Sequence, residues 1–316
     1  MLDLADVVAR GCGLPPGAAS TLTLAFVRTT DPTFLVFDAD QSYPKYVAKV
    51  GAPEALEHRR ALAARLYALL PDAIARPLGV LPLEAGRALL IVDGLPGLPW
   101  FRLPARMQSP RDWTSLRERC VEQLRRFQEA VASQPEWVVT AAAFGQSLRA
   151  LAASLADVLA PVGPAGQAAI EDAAVVLDKL GPVPATWQHG DFVLNNLLVD
   201  DGRLGVLDLD DFGRRHVPLL DACALACSIH LQASRHGAWH DLTADLAACM
   251  AGAPDAATFT PKQKTAFFAY FLLAAIADTV GRPARAAIRL TYLDHLRDLA
   301  GDSARYERAL AVQARR

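Results

Sequence analysis

A chain of 316 residues exceeds the roughly 250–300 residues at which a single hydrophobic core stops growing, so two lobes with separate cores are expected. Apolar residues make up 52% of it and charged residues 21%, which excludes the disordered and fibrous classes. Its 32 Lys and Arg nearly balance 34 Asp and Glu, leaving no global field for nucleic acid or an anionic membrane, so a charged ligand has to be met locally.

The stretch Met1 to Arg10 carries Asp3 and Asp6 and lacks the basic start and apolar core of a signal peptide. Five cysteines, at 12, 120, 223, 227 and 249, show neither a disulfide framework nor a zinc spacing, so the cytoplasm is the expected compartment and Cys223 and Cys227 read as core packing. From Leu22 to Val50 the pattern predicts three strands: alternating Leu22, Leu24 and Phe26, then Phe34 to Phe37, then Tyr46 to Val50. Ala55 to Leu70 reads as an amphipathic helix, and Leu78–Leu83 and Ala88–Val92 as two further strands. Gly94, Pro96, Gly97 and Pro99 cluster next and read as a hinge.

Beyond the hinge, Leu116, Cys120, Leu124, Phe127 and Val131 line one helix face, and Phe144, Leu148, Leu151, Leu155 and Leu159 another. The apolar run Ala266 to Ala277 is shorter than the ~20 residues that span a bilayer and reads as a buried helix. The expected organisation is an N-lobe over 1–93, a hinge over 94–99 and a helical C-lobe over 100–316, with a nucleotide cleft between the lobes. One β-like interval, Thr186 to Phe212, interrupts the helices and is where chemistry is expected.

In that interval Leu197–Val199 and Leu204–Leu207 are short apolar strands around Asp200-Asp201-Gly202-Arg203, a hairpin signal because Asp-Gly accepts positive φ. Closing the hairpin brings Asn196, just before it, and Asp208, just after it, to one open end. Two hard oxygen ligands so placed suit Mg²⁺, which completes its shell with water and substrate phosphates. Asp191, five residues before Asn196, is then a candidate base for a hydroxyl aimed at a γ-phosphate. Asp210 reads equally as a second metal ligand or a solvated acid. His189 reads as a structural residue of the loop.

His189-Gly190-Asp191, with Asn196 and Asp208 at their spacings, resembles the aminoglycoside phosphotransferase and choline kinase superfamily. The resemblance implies an α+β, bilobal protein-kinase-like fold, with a small antiparallel-sheet N-lobe and a mostly helical C-lobe. It implies Asp191 as catalytic base, Asn196 and Asp208 as metal ligands, and Asp221, in Pro218-Leu219-Leu220-Asp221, as a brace for the catalytic loop. The literal triplet Asp211-Phe212-Gly213 lies three residues past the hairpin and is set aside for Asp208.

On the nucleotide side, Lys49 stands in a strand among apolar neighbours and needs an anionic partner. The resemblance implies that it holds the α- and β-phosphates, oriented by a helix glutamate, Glu57 in preference to Glu54. The turn after Phe26 has no glycine, and by the same resemblance the Thr29 and Thr30 hydroxyls stand in for a Gly-rich loop. Leu90 to Gly94 resembles the segment that receives adenine, with Val92 and Gly94 as contacts, ATP as the nucleotide and GTP left open.

For the acceptor, Trp239, His240, Asp241, Asp245, Asp278, Tyr292, Asp294 and His295 compete with Arg282, Arg285 and Arg289, and Asp241 and Asp245 read as solubilising. The expected activity is ATP- and Mg-dependent transfer to a hydroxyl of a small molecule of the aminoglycoside, sugar or amino alcohol class. The alternative is a catalytically silent nucleotide-binding module. Neither nucleic acid nor membrane is an expected partner, and the sequence does not specify an oligomeric state.

Overall fold

The computed structural model describes residues 4–14, 22–28, 32–38, 43–103, 107, 109–200, 202–238 and 241–311. The chain forms two compact units, one of Met1–Arg106 with Leu194–Asp210, the other of Met107–Val193 with Asp211–Arg316.

The first unit is built on a five-stranded antiparallel sheet of β1 (Leu22–Arg28), β2 (Thr33–Asp38), β3 (Tyr46–Gly51), β4 (Pro77–Pro82) and β5 (Ala88–Asp93), in the order β1-β2-β3-β5-β4. Period-two alternation splits β3 between two faces. Tyr46, Ala48 and Val50 join Leu89 and Ile91 of β5 and Val36 of β2 in a core covered by Val7 and Val8 of α1 (Leu4–Gly11). Each fully buried aliphatic side chain there contributes about 1.5–3 kcal/mol. The helix α1 was not foreseen from the sequence. Its last residue, Gly11, packs closely on the sheet, where a Cβ would crowd the side chains of Leu81 and Ile91. On the other face, α2 (Pro53–Leu69), with Pro53 in its first turn, lays Leu56 against Ala88 and Leu90. Lys49 is directly opposite Leu90 and so shares the α2 face, in the central strand of the sheet.

The expected hinge behaves differently. Leu98–Pro99 forms β6, which pairs with β9 (Leu197–Asp200), itself paired with β10 (Arg203–Val206). This second sheet draws residues 94–99 and the hairpin into the first unit, so the division falls after Arg106 and not at 94–99.

The second unit is mostly helical. Its first helix, α3 (Pro110–Ala132), starts from a Ser109–Asp112 capping box and buries the expected face of Leu116, Cys120, Leu124, Phe127 and Val131. A ribbon of β7 (Val138–Ala141) and β8 (Val183–Thr186) brackets α4 (Phe144–Ser154), α5 (Ala156–Leu159) and α6 (Gly163–Asp178). The single stripe expected from Phe144 to Leu159 is broken at Leu155, which leaves helical geometry. Helices α7 (Leu220–Arg235), α8 (Leu242–Gly252), α9 (Pro261–Ala277), α10 (Ala286–Gly301) and α11 (Ser303–Ala311) complete the unit. The apolar run is buried in α9, behind a Thr260–Gln263 capping box. Among the described residues no single helix is long and apolar enough to cross a membrane.

Candidate active site

The hairpin closes as its sequence demands: Arg203 faces Asp200, and Gly202 has φ 83°. One further rung, Leu207 N–H donating to Asn196 O at 2.8 Å, brings Asn196 and Asp208 to the open end. Val206 N–H donates to Ala73 O at 2.8 Å and β6 flanks the other edge, so the hairpin is held on both sides within the first unit. The Trp100 indole N–H donates to Asn195 Oδ1 beside it.

Asp208 has φ 57°, left-handed geometry that is uncommon for a side-chain-bearing residue and gathers at functional sites. Lys49 Nζ lies 3.5 Å from Asp208 Oδ1 and 3.4 Å from Asp210 Oδ1. Arg59, on α2, brings Nε to 3.4 Å from the same Asp210 oxygen. Lys49 therefore finds the anionic partners its apolar strand requires, and Asp210 is one of them, not a solvated acid. Asn196, Asp208 and Asp210 offer only oxygen donors, which fits Mg²⁺, an ion that takes one or two carboxylates and fills its shell with water and phosphate. Among the described residues no cluster of three His, Cys, Asp or Glu forms a closed protein cage for a metal.

The loop that carries Asp191 belongs to the second unit and is held from its backbone. Asp221, fully buried at the start of α7, accepts His189 N–H at 2.7 Å and Gly190 N–H at 2.9 Å, while its own N–H donates to Gln188 Oε1 at 3.2 Å. Burial pushes the Asp221 carboxyl up, against the pull of His189 and the two amides. His189 is fully buried against Phe127 and Phe192, and its Nδ1 accepts Asp191 N–H at 3.3 Å, the structural role expected of it. Gly190, at φ 87°, packs so tightly on Asp211 that a Cβ would sit 2.8 Å from its carbonyl oxygen. The Asp191 side chain is exposed. Asp211 pairs with Arg214 at 2.8 Å, and Phe212 packs among Phe127, Trp137 and Trp187, so the literal triplet serves packing.

Other expectations are corrected. Glu57 is exposed and accepts from Arg60 at 2.6 Å, which holds its carboxyl below the usual range; it is not the partner of Lys49, and Glu54 is also exposed. Gly94 donates its amide to Lys45 O at 2.8 Å, and a Cβ there would meet Pro44 O at 1.6 Å, so this residue serves the sheet edge. Val92 lies on the α2 face, packed against the Leu56 cluster. Thr29, Thr30, Trp239 and His240 lie outside the described residues. Asp245 is buried and paired with Arg117 at 2.9 Å, and Asp241 caps α8 through Thr243 N–H, so neither is merely solubilising. Asp278 pairs with Arg215, and Asp294 with Arg297. Arg282 and Arg285 are exposed and Arg289 is half-buried. Burial pushes the Tyr292 hydroxyl well up, and Asp191 is among the acids that act on it.

Arg59 escaped the sequence reading although a signal was present. Leu56, Ala63 and Leu66 are the buried stripe of α2, and Arg59 falls on it at the intervening i+3 position, where a cation among apolar residues calls for an explanation. Glu57 falls off that stripe.

Among curated proteins, no sequence is similar enough to count as a relative. Among solved structures, a thermostable mutant of aminoglycoside phosphotransferase APH(4)-Ia, in ternary complex with ADP and hygromycin B, is 14% identical with a TM-score of 0.57, covering 95% of this chain and 99% of that one. Glucosamine kinase in complex with glucosamine, ADP and inorganic phosphate is 18% identical with a TM-score of 0.57, covering 92% and 83%. These likenesses show the fold, a kinase-like α+β architecture. The sequence profile of the phosphotransferase enzyme family (APH) matches residues 26–218, more than half of the chain, from β1 through the hairpin to Pro218; the chain belongs to that phosphotransferase family.

Proposed function

We propose that the protein is a magnesium-dependent small-molecule kinase that transfers the γ-phosphoryl group of ATP to a hydroxyl of an amino sugar or related polyol. The observation that carries this reading is the left-handed Asp208 at the open end of the hairpin, with Lys49 at 3.5 Å. In this reading Lys49 holds the α- and β-phosphates, and Asn196 and Asp208 would hold the metal. Bound magnesium supplies positive charge to the phosphate oxygens as they accumulate charge. Asp191 accepts the proton of the acceptor hydroxyl while the new O–P bond forms and the bond to the β-phosphate oxygen breaks, releasing ADP. Asp221 keeps Asp191 in place through the backbone of the loop.

ADP, bound with hygromycin B in one of the two solved structures and with glucosamine in the other, supports the nucleotide and the acceptor class. Five cysteines that are all free thiols support a cytoplasmic setting.

The test is ADP release with ATP and Mg²⁺ across a panel of amino sugars, sugars and amino alcohols, repeated with Asp191→Ala. The expected result is acceptor-stimulated turnover that falls about 10²- to 10⁴-fold in the variant while a non-hydrolysable ATP analogue still binds. Tight analogue binding without stimulation by any acceptor would instead indicate a silent nucleotide-binding module.

A further inference from the structure

The electrostatics around Lys49 reverse the arrangement that its strand suggests. The helix packed over the lysine supplies a cation, Arg59, and the anion that holds the lysine comes from the turn after the hairpin, Asp210. Both cations converge on one oxygen: Lys49 Nζ at 3.4 Å and Arg59 Nε at 3.4 Å from Asp210 Oδ1. The closest approach of Arg59 is through Nε. Its two terminal nitrogens have no protein acceptor among the described residues, although less than a third of the side chain is exposed. Two cations against Asp208 and Asp210 make a locally neutral group, and the chain as a whole carries a formal charge of only −2. A polyphosphate of several negative charges is then met by these two side chains and the metal, with no help from a long-range field.

We propose that Arg59 is a second phosphate-binding cation, and that Asp210 is the positioning carboxylate that aims both Lys49 and Arg59, the task expected of Glu57. The proposal rests on the nucleotide-binding reading above and extends it to residues outside it. A guanidinium that approaches its carboxylate through Nε leaves a planar pair of terminal donors suited to two phosphate oxygens.

The test uses the full chain and compares the affinities of adenosine, ADP and a non-hydrolysable ATP analogue, with Mg²⁺, for the wild type and for Arg59→Gln, Arg59→Lys and Glu57→Gln. The expected result is a loss of about tenfold or more for ADP and the analogue in Arg59→Gln, since charge-assisted hydrogen bonds to phosphate are lost. Adenosine affinity should stay unchanged, which also reports that the variant is folded, and Arg59→Lys should recover part of the loss. Glu57→Gln should bind all three like the wild type. Equal losses for adenosine and ADP, no loss at all, or a loss matched by Glu57→Gln would overturn the assignment of Arg59. A wild type that binds none of the three would overturn the nucleotide reading itself.

Discussion

The two units hold their candidate residues in opposite ways. In the first, four side-chain charges gather at 3.4–3.5 Å, each with about a fifth to a third of its side chain exposed. Such contacts are long enough, and wet enough, to exchange for a ligand at small cost. In the second, a fully buried carboxylate grips two consecutive backbone amides at 2.7 and 2.9 Å, inside a packed layer of Phe127, Phe192 and His189. The first is organised to release its partners and the second to keep them. Ion pairs between residues far apart in sequence hold the first group, and a side chain bonded to main-chain amides holds the second.

The sharpest way to break this contrast is a pair of substitutions read by thermal melting. Asp221→Ala leaves two buried amides without acceptors and should destabilise the protein by about 3 kcal/mol or more, a loss the loop cannot relax away. Lys49→Met, in contrast, should leave the melting temperature nearly unchanged and lower ATP-analogue affinity by about tenfold or more. Equal melting shifts would show that the two parts are not built differently.

A second probe stays within the second unit. His295 is held down to about 4 by burial and by neighbouring His230, against the opposing pull of Asp298 and Asp294, and its ring lies 5.5 Å from that of His230. Its folded value is below its unfolded one, so the unfolded chain binds the extra proton. Stability is therefore whole above about pH 6.5 and is lost as the pH falls towards 4, by about 3 kcal/mol in total from this group. Denaturant unfolding from pH 7.5 to 4 should show the decline, and His295→Phe should flatten it; an unchanged slope would remove His295 as its source.

The smallest expected effect belongs to the first unit. Glu57→Gln removes an exposed helix pair with Arg60, and turnover and nucleotide affinity should stay within about twofold of the wild type. A large loss would return Glu57 to the role of lysine partner.

Much of this was legible in the residues themselves because the signals are local. The alternation of β3, the Asp-Gly turn and the stripes of α3 and α9 each depend on neighbours within a few positions, and the structure follows them closely. The convergence of Asn196 and Asp208 was legible for the same reason, since a two-residue turn determines what meets at the open end of a hairpin. Pairings across long sequence separations were not. The Lys49 partners lie 159 and 161 positions away, and Arg117 and Asp245 are 128 apart.

The sequence by itself thus determined the five strands of the first sheet, the hairpin and the identity of the acids at its end, because turn chemistry and hydrophobic period act over short distances. Only the tertiary structure decided that β6 ties the hairpin to the first unit, that Asp210 and not Glu57 holds Lys49, and that Arg59 joins them. A charge chooses its partner by distance and by the water it gives up, and both are known only once distant segments have packed.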